Sequence, residues 1–134
     1  MKSTPVSSIM TKNVVCVSPK QEIIDVKHIY EKKKFHHHIP VTENGKLVGI
    51  VSLIDFMYRI KGAGLDDNNS IYTELLVKDI MTSNPYSSRP DTTIKEIASV
   101  LSKGKFRAVP IVEGKNIVGI VSTEDLMKYF LEKL

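Results

Sequence analysis

The chain has 134 residues, of which 42% are apolar and 25% charged, with 19 basic against 15 acidic side chains for a net charge of +4. That length holds one compact domain or two very small halves, and the composition excludes collagen, a coiled coil and a wholly disordered chain. A single cysteine, Cys16, excludes an intramolecular disulfide framework and a cysteine-built zinc cage, which places the expected setting in a reducing cytoplasm.

In chain order, the opening MKSTPVSSIM lacks the apolar core of a signal peptide, so a soluble intracellular protein is expected. Val14 to Val17 reads as a short extended segment that ends at a proline. Ile23, Val26 and Tyr30 follow at nearly helical spacing. Lys32-Lys33-Lys34 is the only basic run and reads as the solvated end of that helix. A nucleic-acid surface would carry a denser stripe, so nucleic acid is not the expected partner. Ile39 to Thr42 and Leu47 to Val51 read as strands joined through Asn44-Gly45, a pair that supplies the positive φ angles of a two-residue hairpin turn. Leu47 to Val51 is also the longest apolar run, far below the ~20 residues that span a bilayer, so no membrane partner is expected. An amphipathic helix from Leu53 to Ile60 closes the first half. Lys61 to Ser70 is rich in glycine and Asx residues with almost nothing to bury, and is the one clear linker.

The second half repeats the plan. Pro85 to Ser88 is extended; Ile94, Ile97, Ala98 and Leu101 keep helical spacing, with Thr93 and Glu96 placed for a capping box. Val109 to Val112 and Ile117 to Val121 form the second hairpin through Gly114-Lys115. A last helix repeats Leu126, Phe130 and Leu134 beside Met127 and Leu131. The duplication is literal in places. Val6-Ser-Ser-Ile-Met-Thr-Lys-Asn13 answers Val77-Lys-Asp-Ile-Met-Thr-Ser-Asn84, and Val48-Gly-Ile-Val-Ser52 returns unchanged as Val118-Gly-Ile-Val-Ser122. The offset falls from 71 residues to 70 near Phe35 to His38. The expected architecture is therefore mixed α/β (α+β): two tandem β-α-β-β-α repeats, 1–60 and 77–134, with 61–76 between them. Units of about 60 residues bury little surface alone, so the halves are expected to share a core.

Gly-Ile-Val-Ser-x-x-Asp, with Ser52 and Asp55 in one copy and Ser122 and Asp125 in the other, admits two readings. Serine at a strand-to-helix junction with an acid three residues on fits a capping box. The same corner presents helix N–H groups to an anion and a carboxylate to a vicinal diol, while Gly49 or Gly119 lets a ring approach the backbone.

The Ile-Met-Thr opening, the His-Ile-Pro-Val and Ala-Val-Pro-Ile strands and the tandem Gly-Ile-Val-Ser-x-x-Asp together resemble a pair of CBS domains, the Bateman module. The resemblance implies two repeats packed about a pseudo-twofold axis, with clefts for adenosine-containing ligands, regulation of a separate effector protein, and a homodimer. No cofactor is implied beyond an adenine nucleotide (AMP, ADP or ATP) as regulatory ligand, with S-adenosylmethionine as the alternative. Carried onto this chain, it groups Ser18, Ile23, His37, Arg107, Ser122 and Asp125 as one ligand site, and Arg89, Ile94, Ser52 and Asp55, with Arg107 and His37, as the second. The aspartates would hold ribose hydroxyls, Ile23 and Ile94 would line an adenine pocket, and His37 and Arg107 would meet phosphates. Ser18 matches a family hydroxyl position that Arg89 does not.

Two rivals stand beside it: an interaction module without ligand, and a metal sensor built on His36-His37-His38. Three consecutive strand residues cannot face one ion, and no cysteine or carboxylate near them completes a set, so no metal site is expected. Catalysis is not expected either. The chain lacks a Gly-x-Ser-x-Gly elbow, a Walker loop and a His-Glu-x-x-His motif, and Cys16 among valines reads as a small buried hydrophobe.

Overall fold

The fold is that of a computed structural model, which describes residues 3–34 and 36–134. The chain forms two compact units, one from Val15–Pro85 and the other from the residues up to Val14 together with Tyr86–Leu134. The first unit contains α1 (Ile23–Tyr30), β1 (His38–Glu43), β2 (Lys46–Ser52), α2 (Leu53–Arg59), α3 (Ile71–Glu74), α4 (Val77–Ile80) and β3 (Thr82–Ser83). The second contains a 3-10 turn (Val6–Ser8), α5 (Ile94–Ser102), β4 (Ala108–Glu113), β5 (Asn116–Ser122) and α6 (Thr123–Lys133). Each is a mixed α/β unit on the expected β-α-β-β-α plan.

β1 and β2 pair antiparallel through Asn44 (φ 52°) and Gly45 (φ 79°), the left-handed pair that the Asn-Gly sequence promised. β4 and β5 do the same with positive φ at Gly114 alone. Both hairpins slip register at one place: Val41 faces Gly49 and Thr42 faces Leu47, just as Ile111 faces Gly119 and Val112 faces Ile117. The extra residue is Val48 in one copy and Val118 in the other, a bulge duplicated with the sequence.

The extended segments ahead of α1 and α5 are shorter than expected. Each is a single parallel bridge, Val17 to Val41 and Ser88 to Ile111. The reason is proline. A parallel ladder through Val17 would next need an N–H from residue 40 on one side and from residue 19 on the other, and both are proline. Pro110 and Pro90 cut the second bridge in the same way.

Within each unit the buried apolar residues form a cluster. Ile23, Val26, Val41, Phe56 and Tyr72 centre the first, and Val6, Ile94, Ile97, Val109 and Val121 the second. Each unit completes its core with a strap of chain: Val77 and Ile80 in the first, Val6 in the second. The stretch from Lys61 to Ser70 is mostly exposed, but Tyr72 just beyond it is fully buried and stacks on Phe56, which meets Tyr30 edge to face. Of the apolar stripe on α6 only Leu126 is buried; Phe130 and Leu134 face outward. Cys16 is half-buried outside any named strand, its thiol pKa raised by that burial, rather than a core residue. Among the described residues, no helix is long and apolar enough to cross a membrane.

Candidate functional site

The two Gly-Ile-Val-Ser-x-x-Asp corners are strand-to-helix junctions, as their sequence implies. Ser52 is the N-cap of α2, and its hydroxyl accepts from the Asp55 N–H at 3.0 Å. Ser122 caps α6 likewise at 3.2 Å, and the Asp125 carboxylate returns the bond by accepting from the Ser122 N–H at 2.9 Å. The second corner is a complete capping box and the first only its serine half. Asp125 is therefore held with one oxygen committed and Oδ1 outside the cap, whereas the Asp55 carboxylate stands outside its cap altogether. Thr93 caps α5 with the hydroxyl half alone, accepting from Glu96 N–H at 3.1 Å.

The residues three positions before the strand prolines enter each corner through their main chain. The His37 carbonyl accepts from Leu53 N–H at 2.8 Å, and the Arg107 carbonyl from Thr123 N–H at 3.0 Å. Both helices thus begin against a carbonyl whose side chain, imidazole or guanidinium, is exposed. Tyr30 braces the first corner, donating to the His37 carbonyl at 3.1 Å. Its phenol is held well above the ordinary range, first by burial and then by the charge of Asp55.

Ser18 and Arg89 begin equivalent turns. The Ser18 N–H donates to Gln21 Oε1 at 2.6 Å and its hydroxyl accepts from Lys20 N–H at 3.3 Å; the Arg89 N–H donates to Thr92 Oγ1 at 3.2 Å. Gln21 and Thr92 fill one role with different side chains, which is why aligning the repeats by residue type misses them. Arg89 extends into solvent beside Asp91 and lines an open hollow of about 410 Å³ with Val112, Glu113 and Gly114. Ile23 and Ile94 open α1 and α5, each in the core of its own unit, at 0% and 1% exposure. In this structure they present no surface.

The glycines of the motif have a neighbour that local sequence patterns do not disclose. A Cβ on Gly49 would stand 2.5 Å from Met81 Sδ and 3.0 Å from the Thr82 carbonyl; one on Gly119 would stand 2.5 Å from Met10 Sδ and 3.0 Å from the Thr11 carbonyl. The methionine of each Ile-Met-Thr strap occupies the space left by the missing side chain. The close approach inferred for a ligand ring is made here by a thioether.

His36 and His37 are exposed and His38 half-buried. Among the described residues, the group whose ligating atoms converge is instead His28, Glu31 and Asp67. Its carboxylates already hold the Lys27 ammonium, at 2.7 Å from Glu31 and 2.6 Å from Asp67, so a resident cation meets their charge.

The domain model described as "CBS domain" matches twice, over residues 6–62 and 77–132. The chain belongs to the CBS-domain family. Two CBS repeats in tandem make it a CBS pair, the Bateman module. The chain is 36% identical over 134 residues to the uncharacterized protein MJ0188 of Methanocaldococcus jannaschii, covering 98% of this chain and 46% of that protein. It spans about half or less of the first curated relatives it matches. Among solved structures it is similar to CBSX2, an Arabidopsis thaliana CBS-pair protein, crystallised in complex with AMP (26% identity, TM-score 0.81, 97% of this chain and 98% of that one). It is equally similar to the CBS domain pair of protein MJ0100 in complex with 5'-methylthioadenosine and S-adenosyl-L-methionine (26% identity, TM-score 0.81, 98% of each chain).

Proposed function

We propose that this CBS pair is a regulatory module that binds an adenosine-containing ligand, AMP, ADP or ATP, and signals its occupancy to a separate effector protein in the cytoplasm. The likeness to two CBS pairs crystallised with adenosine compounds, covering nearly the whole of each chain, carries this reading. The chemistry of the corners supports it. Ser122 holds Asp125 in place with an oxygen to spare, so the acceptor for a ribose hydroxyl is oriented before ligand arrives. His37 and Arg107 offer exposed nitrogen donors beside helix starts, suited to phosphate. Of the two residue groups, the one with Ser18, Ile23, His37, Arg107, Ser122 and Asp125 is proposed as the tighter for AMP. The group with Arg89, Ile94, Ser52 and Asp55 carries a long cation where the first has a hydroxyl.

Ligand present at a hundred times its dissociation constant adds about 2.7 kcal/mol of stability by mass action. A thermal-shift series over AMP, ADP, ATP, S-adenosylmethionine and GTP tests the proposal. The adenosine compounds are expected to raise the melting temperature and GTP to leave it unchanged. S-adenosylmethionine is the second reading, favoured by the MJ0100 pair. A homodimer belongs to the same proposal. Ile54, Met57 and Tyr58 on α2 and Met127, Phe130 and Leu131 on α6 are exposed apolar side chains that a second copy would cover.

A further inference from the structure

Each unit holds its strap in a seat built twice from nearly the same residues. In the second unit the Val6 N–H donates to the Thr92 carbonyl at 2.7 Å and the Ser7 N–H to that of Pro90 at 3.1 Å, while the Thr4 carbonyl accepts from Ile94 N–H at 2.9 Å. In the first unit Val77 donates to Gln21 at 2.8 Å and Lys78 to Pro19 at 3.0 Å, while Leu75 accepts from Ile23 at 3.0 Å. Val6 and Val77 are both fully buried. Four residues after each valine, a methionine fills the space over a bare glycine. Next, Thr11 and Ile120 exchange two main-chain bonds at 2.8 and 3.0 Å, and Thr82 pairs with Ile50. The seat reads a short pattern: a buried valine, then a methionine that only glycine can receive.

The strap up to Val14 is continuous with the first unit but seated in the second, which the chain re-enters only at Tyr86. No short loop joins strap to seat. Its exit is at Asn13, φ 55°, and asparagine enters or leaves the left-handed region at small cost.

We propose that the seat for residues 4–11 also accepts that strap from a second copy of this chain, so that two chains exchange their openings reciprocally. The contacts are the same whether the strap is the chain's own or its neighbour's, so the exchange costs only what the hinge and the concentration impose. One strap passed each way fills both seats, so the assembly closes at two copies and does not propagate as a fibre. This interface is separate from the α2 and α6 faces and does not depend on nucleotide binding.

The test uses the full chain with Cys16→Ser. One population carries Thr11→Cys and another Ile120→Cys; neither can form the 11–120 bridge alone. Antiparallel partners that exchange both bonds have Cα atoms about 5.5 Å apart, within disulfide reach. After mixing, warming below the melting temperature and mild oxidation, a species of twice the chain's mass is expected, with its bridge mapped to the 11–120 pair. It is expected to vanish when the strap also carries Val6→Asp. A single chain carrying both cysteines shows that the pair can close. If that chain bridges internally while the mixture yields no 11–120 bridge, the proposal is overturned. Light scattering supplies a second readout. A dimer fraction that grows with time and concentration in Met57→Lys/Met127→Lys is expected, and a strictly monomeric double variant at high concentration contradicts the exchange.

Discussion

At the scale of single residues, the corner aspartates divide their work unequally. Asp125 accepts from Ser122 N–H, so Asp125→Ala is expected to cost about 0.5–1.5 kcal/mol of folding stability through the lost half of the capping box. Asp55→Ala removes no such bond and is expected to leave urea melts of the free protein nearly unchanged. In calorimetry with AMP, Asp125→Ala is expected to lose a further 1.5–3 kcal/mol of binding, roughly the worth of hydrogen bonds to a charged acceptor. Tight AMP binding that survives Asp125→Ala and disappears with Asp55→Ala would exchange the two proposed sites. The glycine seats give a second prediction. Gly119→Ala forces a methyl against Met10 and the Thr11 carbonyl and is expected to destabilise by about 1–3 kcal/mol. Shortening the neighbour relieves the clash, so in a double-mutant cycle Gly119→Ala/Met10→Ala is expected to be less destabilised than the sum of its parts. Strict additivity would refute the seat. The sequence displays Ile-Met-Thr and Gly-Ile-Val-Ser as separate repeated motifs, but nothing local shows that one packs on the other. Met10 and Gly119 lie at opposite ends of the chain.

At the scale of elements, α1, α2, α5, α6 and the two hairpins were legible because periodicity and Asn-Gly act locally, whereas the four-residue helices α3 and α4 are too short to show a period. The parallel bridges were legible in position but not in length, because Pro19 and Pro40 act on one ladder from two distant segments. The linker conceals more. Asp67, in a stretch with almost nothing to bury, accepts from Lys27 and meets His28 at 2.8 Å, tying the loop to α1. Lys27 itself is 4% exposed and lies over the Tyr72 ring. Hydrogen bonds from Lys27 and then His28 hold the Asp67 carboxyl below the usual carboxylate range. A carboxylate whose pKa is lower in the folded than in the unfolded state stabilises the fold above the unfolded value, and that contribution disappears as pH falls through the folded one. The ordinary aspartate value is about 3.9, so the contribution is complete near neutrality and is lost on acidification below about pH 5. Urea melts from pH 3 to 7 are therefore expected to show a shallower acid limb for Asp67→Asn than for the parent chain. Parallel limbs would contradict a contribution of the Asp67 carboxylate to stability.

At the scale of the whole molecule, the tandem repeat was fully legible, since Val-Gly-Ile-Val-Ser is written twice without change. The straps were not, because a repeat boundary drawn along the sequence says nothing of which unit a segment joins in space. Apolar surface on α2 and α6 was legible as excess, and the structure places Met57 and Met127 outward at 51% and 60% exposure. Light scattering at micromolar concentration is expected to report a dimer, and Met57→Lys with Met127→Lys to shift it strongly toward monomer. A parent chain that is monomeric under those conditions defeats the helix-face proposal. Whether this CBS pair senses an adenosine-containing ligand, as proposed, is decided by titration calorimetry of AMP, ATP and S-adenosylmethionine into the folded protein. Saturable binding of at least one of them is expected, weakened at least tenfold by Asp125→Ala. Absence of binding by all three, to protein whose cooperative melt shows it folded, would contradict the proposal.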